Sequence, residues 1–312
     1  MPDQTPAATP NQSSTRTLWI AFAAVYLVWG ATYLAIRYAV QTIPPFLMGG
    51  SRFLVSGIIL FAWARSHGAL IPTRRQWRDA AVVGTLLLCG GNGAVGWAEQ
   101  RVPSGITALL VASVPLWMVV IDWLRPNGKR PPVIVGLGVV VGLGGVAVLA
   151  LPGTMLSSAH VDPAGALVLL FGSISWAAGS IYSRHTSRPA SAAMTTALQM
   201  IAGSGALAII SIVAGEPGRF HPGQMTMPSF LGWAYLVTFG SLVGFTAYIY
   251  LLRETTPAKA TTYAYVNPIV AVVLGWMVAS EPIEPRTVVA AVIILASVAM
   301  ITIAGGSERE QR

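Results

Sequence analysis

Charge is what this chain has least of. Only 10% of its 312 residues are Asp, Glu, Lys or Arg, 54% are hydrophobic, and the mean hydropathy is +0.65. A soluble domain carries about 25% charged residues. The deficit excludes an ordinary soluble globule and points to an integral membrane protein. Cysteine is nearly absent. The single Cys89 lies in an apolar run, which excludes an internal disulfide and a cysteine-held metal cluster. The four histidines, His67, His160, His185 and His221, fall in separate predicted loops and form neither a metal site nor a Ser/His/Asp set. The glycine-rich run 138–145 lies inside an apolar span and cannot cradle a phosphate as a loop would. No metal, no cofactor and no catalytic residue is therefore expected. Residues 1–16 are polar and rich in Pro, Ser and Thr, without the charged start or cleavage site of a secretory signal. They are expected to be a disordered tail.

What is present is a series of apolar runs. Charge, proline and polar clusters divide the chain into ten spans, roughly 17–37, 45–64, 78–98, 104–123, 132–151, 164–184, 191–214, 229–252, 259–280 and 287–304. About 20 apolar residues suffice for a helix to cross the hydrocarbon core. Gly138, Gly142 and Gly145 in the fifth span put small residues on one face and permit close helix packing. The net charge of +8 comes from basic residues in short loops, so membrane orientation explains it better than nucleic acid does. With the N-terminus in the cytoplasm, 14 of the 19 Lys and Arg residues fall on the cytoplasmic side. Both termini are then expected inside, with 305–312 as a second cytoplasmic tail.

One hydrophobic stretch is written twice. Residues 259–281 read KATTYAYVNPIVAVVLGWMVASE, with Pro268 inside the run and Trp276 eight residues later. Residues 104–123 repeat the punctuation with Pro115 and Trp123. WGATYLAIR (29–37) likewise parallels WAAGSIYSR (176–184), each placing Arg eight residues after Trp. Spans one to five therefore match spans six to ten. An odd number of spans per half forces the halves into opposite orientations, as in inverted-repeat transporters whose substrate path lies at the repeat interface.

At these residues the chain resembles the EamA-type drug/metabolite transporter superfamily. The resemblance rests on WGATYLAIRYAV in span one, SRFLVSGIIL in span two, and the proline spans carrying VPLW and VNPIV. WAEQRVPSGITALLVASVPLW is similar to the bacterial inner-membrane metabolite and drug exporters. It implies an all-α membrane fold of ten helices, arranged as two inverted five-helix repeats (17–151 and 164–304). It also implies export of small molecules such as amino acids, other metabolites or toxic compounds across the inner membrane. The partners expected are a small solute and the lipid bilayer; the sequence carries no marker of oligomeric state. In one respect the chain departs from symmetry: Glu281 follows the second proline span, where the first half has Gly128.

Several residues are candidates for the substrate path. Arg52 lies about seven residues into span two, roughly 10 Å along a helix. A charge at that depth is costly unless it faces a cavity or a partner: it snorkels to the outer interface or pairs structurally with Glu99, or it meets an anionic or zwitterionic solute or gates the outer mouth. Asn92 in CGGNG (89–93) either glues helices or lines the path, and Trp97 follows one turn later. Tyr263, Tyr265 and Asn267 precede Pro268, which frees the carbonyl of Ala264. Pro115 frees Val111 in the same way, beside Ser113 and Trp117. Trp29 with Tyr33, Trp176 with Ser180, and Tyr248 are aromatic or polar stripes that serve packing or the path. Arg37, Glu99 and Glu281 are charges at a mouth. No Asp or Glu sits near the middle of any span, which disfavours proton coupling through a central carboxylate.

Overall fold

The computed structural model describes residues 15–126, 130–150, 162–189, 191–255 and 262–310. Residues 1–14 of the expected N-terminal tail, Gly128 and Lys259 lie outside the described residues, whereas Thr15 and Arg16 of that tail begin the first helix. The apolar runs fold into α1 (Thr15–Ala39), α2 (Pro45–Ser66), α3 (Arg74–Ala98), α4 (Ser104–Leu124), α5 (Val133–Ala150), α6 (Pro163–Ser183), α7 (Ala192–Val213), α8 (Met227–Tyr248, prolonged helically to Glu254), α9 (Tyr263–Ala279) and α10 (Pro285–Glu310). Nine of these described helices are long and apolar enough to cross a membrane, and α9 is a shorter apolar helix of 17 residues.

Apolar side chains point outward as well as inward. Leu137, Val140, Ile209, Ile212 and Ile303 are all exposed, on helices that pack only one side against the bundle. That is the arrangement lipid rewards, because lipid tails solvate leucine as well as a protein core does.

The halves are interleaved. α1 packs chiefly against α8 and α9 of the second half, and α6 packs chiefly against α3 and α4 of the first. Each half thus gives its first helix to the other. α2 pairs with α7 on one flank and α5 with α10 on the other. This reciprocal exchange matches the inverted duplication in the sequence.

Two helices widen where these exchanged helices touch them. Thr85–Asn92 in α3 and Leu236–Val243 in α8 are π-helical, each 8 residues long. Side chains from the exchanged helices bond to carbonyls in both. Ser175 Oγ donates to Leu86 O at 2.8 Å, and Trp29 Nε1 donates to Gly240 O at 3.0 Å. An inserted donor that competes for a ladder carbonyl is a recognised cause of such irregularity.

The two prolines act differently. At Pro115 the helix is broken into Ser104–Val111 and Val114–Leu124, so proline sits in the first turn of the new piece, where it is tolerated. The gap is closed by Ser113, whose Oγ donates to Leu110 O at 2.6 Å and accepts from Trp117 Nε1 at 3.1 Å. Pro268 instead lies inside the unbroken α9.

Close packing depends on small residues where α3 crosses α7. A Cβ on Gly84 would collide with the Gln199 carbonyl, and one on Gly203 would sit 2.8 Å from the Gly84 carbonyl. Gly205, two residues on, has open space around it. Overpacking costs about 1–3 kcal/mol. Gly203→Val is therefore expected to lower the thermal midpoint of the detergent-solubilised protein, with Gly205→Ala leaving it unchanged.

Candidate functional site

Residues four apart on a helix stack on one face. Trp29, Tyr33 and Arg37 follow that spacing along α1 and mark a line of polar and aromatic groups between the halves. Trp29 stands against Tyr263 (ring centroids 4.9 Å), Tyr248 (5.3 Å) and Phe245 (5.4 Å). Gly244 admits the indole, since a Cβ there would run into its nitrogen. Tyr33 lies one turn further along, within electrostatic reach of both Tyr263 and Glu99. One turn towards the other end, Tyr26 OH bonds to Thr262 Oγ1 at 2.6 Å.

Arg37 ends the line at a charged cluster. Its guanidinium pairs with Glu281 at 3.1 Å. Glu281, only 6% exposed, also accepts from Ser104 N and Ser104 Oγ, each at 2.9 Å, and from Gly105 N at 3.2 Å. A carboxylate therefore sits on the N-terminus of α4, where free N–H groups and the helix dipole favour negative charge. The turn after α9 aims it there. Ser280 is the one described non-glycine residue with positive φ (52°), and Glu281 N bonds back to Gly275 O at 3.0 Å. Gly275 gives the carboxylate room, because a Cβ there would meet Glu281 and approach Ser104 Oγ at 3.1 Å. Three helices, α1, α4 and α9, are tied at one point.

Glu99 lies beside this tie, one residue past the end of α3, and is 3% exposed. Among the described residues neither of its carboxyl oxygens closes a hydrogen bond; the Arg37 backbone faces it. Burial pushes its carboxyl well above the usual carboxylate range, the neighbouring Glu281 pushes it the same way, and Arg37 opposes both.

The remaining candidates separate. Asn267 is buried on α9, and its amide nitrogen belongs 3.2 Å from the carbonyl oxygens of Tyr263 and Tyr26, tying α9 to α1. Tyr265 turns away and donates to Val298 O of α10 at 3.2 Å. Asn92 is half-buried at the end of the α3 π-helical stretch. Trp97 carries the Arg101 guanidinium 4.2 Å above its ring, and Arg101 pairs with Asp162 at 3.4 Å. Trp176 packs on Gly91, where a Cβ would come within 2.6 Å of its ring, and Ser180 is half-buried one turn on. Trp117 stays with Ser113 in the α4 break.

Arg52 does not pair with Glu99 among the described residues. It is buried, with its guanidinium 4.3 Å over the Phe53 ring and Nε 3.4 Å from Ser241 Oγ, against the π-helical part of α8. Sequence spacing puts both residues towards the same face but not on facing helix sides.

Other residues at this mouth lack any signal in the sequence. Glu216 is buried and accepts from Leu47 N (2.8 Å), Phe46 N (3.3 Å) and Ser211 Oγ (2.9 Å), capping α2. Arg286 donates to Val148 O, and to Leu149 O at 2.8 Å, capping the C-terminus of α5.

The model of the EamA-like transporter family matches residues 17–151 and 163–303. The Escherichia coli (strain K12) protein named "Uncharacterized inner membrane transporter YedA" is 40% identical over 287 residues, covering 92% of this chain and 90% of that protein. The Bacillus subtilis (strain 168) "Uncharacterized transporter YvbV" is 24% identical, covering 92% of each chain. A solved crystal structure superposes with a TM-score of 0.60 at 18% identity, covering 93% of this chain and 98% of the other, and shares the fold.

Asn267→Leu removes the side-chain tie between α9 and α1. An interhelical hydrogen bond of this kind is worth about 1 kcal/mol. The thermal midpoint in detergent is expected to fall accordingly; an unchanged midpoint refutes the tie.

Proposed function

The chain belongs to the EamA-like transporter family, and from that premise we propose that it is a secondary exporter. Its substrates on this reading are small metabolites, amino acids or related compounds, or drug-like molecules, moved by alternating access. It sits in the inner membrane with both termini in the cytoplasm, as the loop charge favours. No enzymatic activity is proposed.

The observation that carries this reading is the tie of Arg37, Glu281 and the α4 N-terminus. It joins α1, α4 and α9 at one end of the repeat interface, where a path between the halves would open. The symmetry-related end has the matching arginine, Arg184, but it is exposed and pairs with no carboxylate among the described residues. One mouth is thus latched by an arginine–carboxylate pair, and the other has no such pair between the halves among the described residues. Behind the latch, Tyr33, Trp29, Tyr248 and Tyr263 form the polar and aromatic wall of the path. Asn92 and Arg52 offer an amide and a cation further along, suited to neutral, zwitterionic or anionic groups. The halves rock about the Pro115 break and the π-helical stretches.

The test is flux in proteoliposomes of the full chain, over a panel of amino acids, nucleosides and toxic compounds. Saturable transport of at least one solute is expected. Glu281→Gln, which keeps the shape of the latch but removes its charge, is expected to change that rate at least severalfold, while Arg219→Gln, an exposed residue at the same face, leaves it unchanged. Folded protein with no flux of any solute would overturn the reading.

A further inference from the structure

The latch described above holds one guanidinium between two carboxylates. Arg37 reaches Glu281 at 3.1 Å, and Glu99 is buried next to both, with neither oxygen hydrogen-bonded among the described residues. A buried carboxylate left ionised and unpartnered is among the most costly groups a protein can carry. The groups that face Glu99 are Tyr33 and Arg37 from α1 and Glu281 from the end of α9. Of these only Arg37 is a cation. It is already engaged, and Glu281 has three further donors from α4 holding it in place.

From this geometry we infer that Glu99 is the proton-binding site of the transporter, and that its protonation state sets the latch. In the closed form Glu99 carries a proton, and Arg37 is free to pair with Glu281. When the proton leaves, Glu99 becomes a second anion competing for the same guanidinium. Drawing Arg37 towards Glu99 detaches α1 from α9 and from the α4 N-terminus. Opening this mouth therefore requires that Glu99 has already lost its proton towards the opposite side, and closing it requires one to bind from the side where solute leaves. This rests on the latch being the gate of a transport path.

The sign is fixed by the burial of Glu99. A group whose protonated form is favoured in the closed structure stabilises that structure at low pH and ceases to do so as the pH rises through its titration. The mouth is closed in acid and opens in alkali. A proton-driven exporter needs that coupling on the side where solute leaves: solute departs from the open form, and a proton must bind before the mouth closes. Glu99 is at the end of its span rather than mid-membrane, so what burial supplies here is supplied by neighbouring helices rather than by depth.

The experiment reads the mouth without needing the solute. Ile106 lines the small cleft beside Glu281 together with Gly105, Val272 and Thr287. In a Cys89→Ser background, Ile106→Cys is labelled in proteoliposomes with a membrane-impermeant thiol reagent. The rate is divided by that of the same reagent on the exposed Gln224→Cys, which corrects for the ordinary pH dependence of a thiol. Over roughly pH 5 to 9, the range that buried carboxyls reach, the ratio is expected to rise severalfold. Glu99→Gln, which cannot ionise, is expected to hold it at the low plateau throughout. Glu281→Gln should raise it at every pH. If the wild-type ratio is flat while Glu281→Gln still raises it, the gate stands and the proton site is overturned. If Glu281→Gln leaves the ratio low, the gate itself is wrong. A rise that follows sodium concentration instead of pH also overturns the proton site.

Discussion

A helix that ends inside a membrane protein leaves backbone groups that neither lipid nor water can satisfy. At one mouth of this protein the second half satisfies those of the first. Glu281 sits on the N-terminus of α4, Glu216 on that of α2, and Arg286 on the C-terminal carbonyls of α5. All three are buried, and each charge has the sign that the helix end prefers. The halves are therefore joined at this face by charge-assisted hydrogen bonds, about twice as strong as neutral ones. On the alternating-access reading proposed above, closing the face and capping the helices are the same event. Opening it must leave those ends to water, which only an aqueous mouth can supply.

The opposite face is built differently. There α3 is capped by its own Thr73 and Gln76, and α7 by its own Ser191. One carboxylate, Asp79, reaches across to the Ser187 backbone at 2.9 Å, while also holding Arg78 at 3.0 Å. Local caps survive when two halves part, whereas shared caps do not. The inverted duplication supplies the same helices at both ends, and the caps make the ends unequal.

The sequence made the large features legible because they follow from periodicity and charge. Ten apolar runs, the paired prolines and the paired Trp/Arg stripes all fall where the helices place them. Arg37, Glu99 and Glu281 were recognisable as charges at span ends. Their convergence was not, because it depends on three helices meeting. Nothing in the composition of SGITALLV says that its first two N–H groups need a carboxylate from 177 residues away. The separation of Tyr263 from Tyr265 needed only the helical period: two residues apart is just over half a turn, so one faces α1 and the other α10. The π-helical stretches had a partial signal in the glycines around Asn92 and in Gly240 and Gly244. What decides them is a donor from another helix, Ser175 or Trp29, and that is tertiary.

Arg52 makes the same point from the other side. Sequence reading could find it a partner in Glu99 because both lie towards one end of their spans. The fold instead lays its guanidinium on Phe53 and points Nε at Ser241 of the widened α8. Glu99 is thereby left without the cation that would have made it an ordinary structural ion pair. Had Arg52 reached it, the cluster would hold two guanidinium groups for two carboxylates, each with a fixed partner, and nothing would be left to exchange. On the proposed proton switch, one guanidinium between two carboxylates is what gives the arrangement two forms. The packing of Arg52 of α2 against α8 thus leaves Arg37 as the guanidinium beside the two carboxylates.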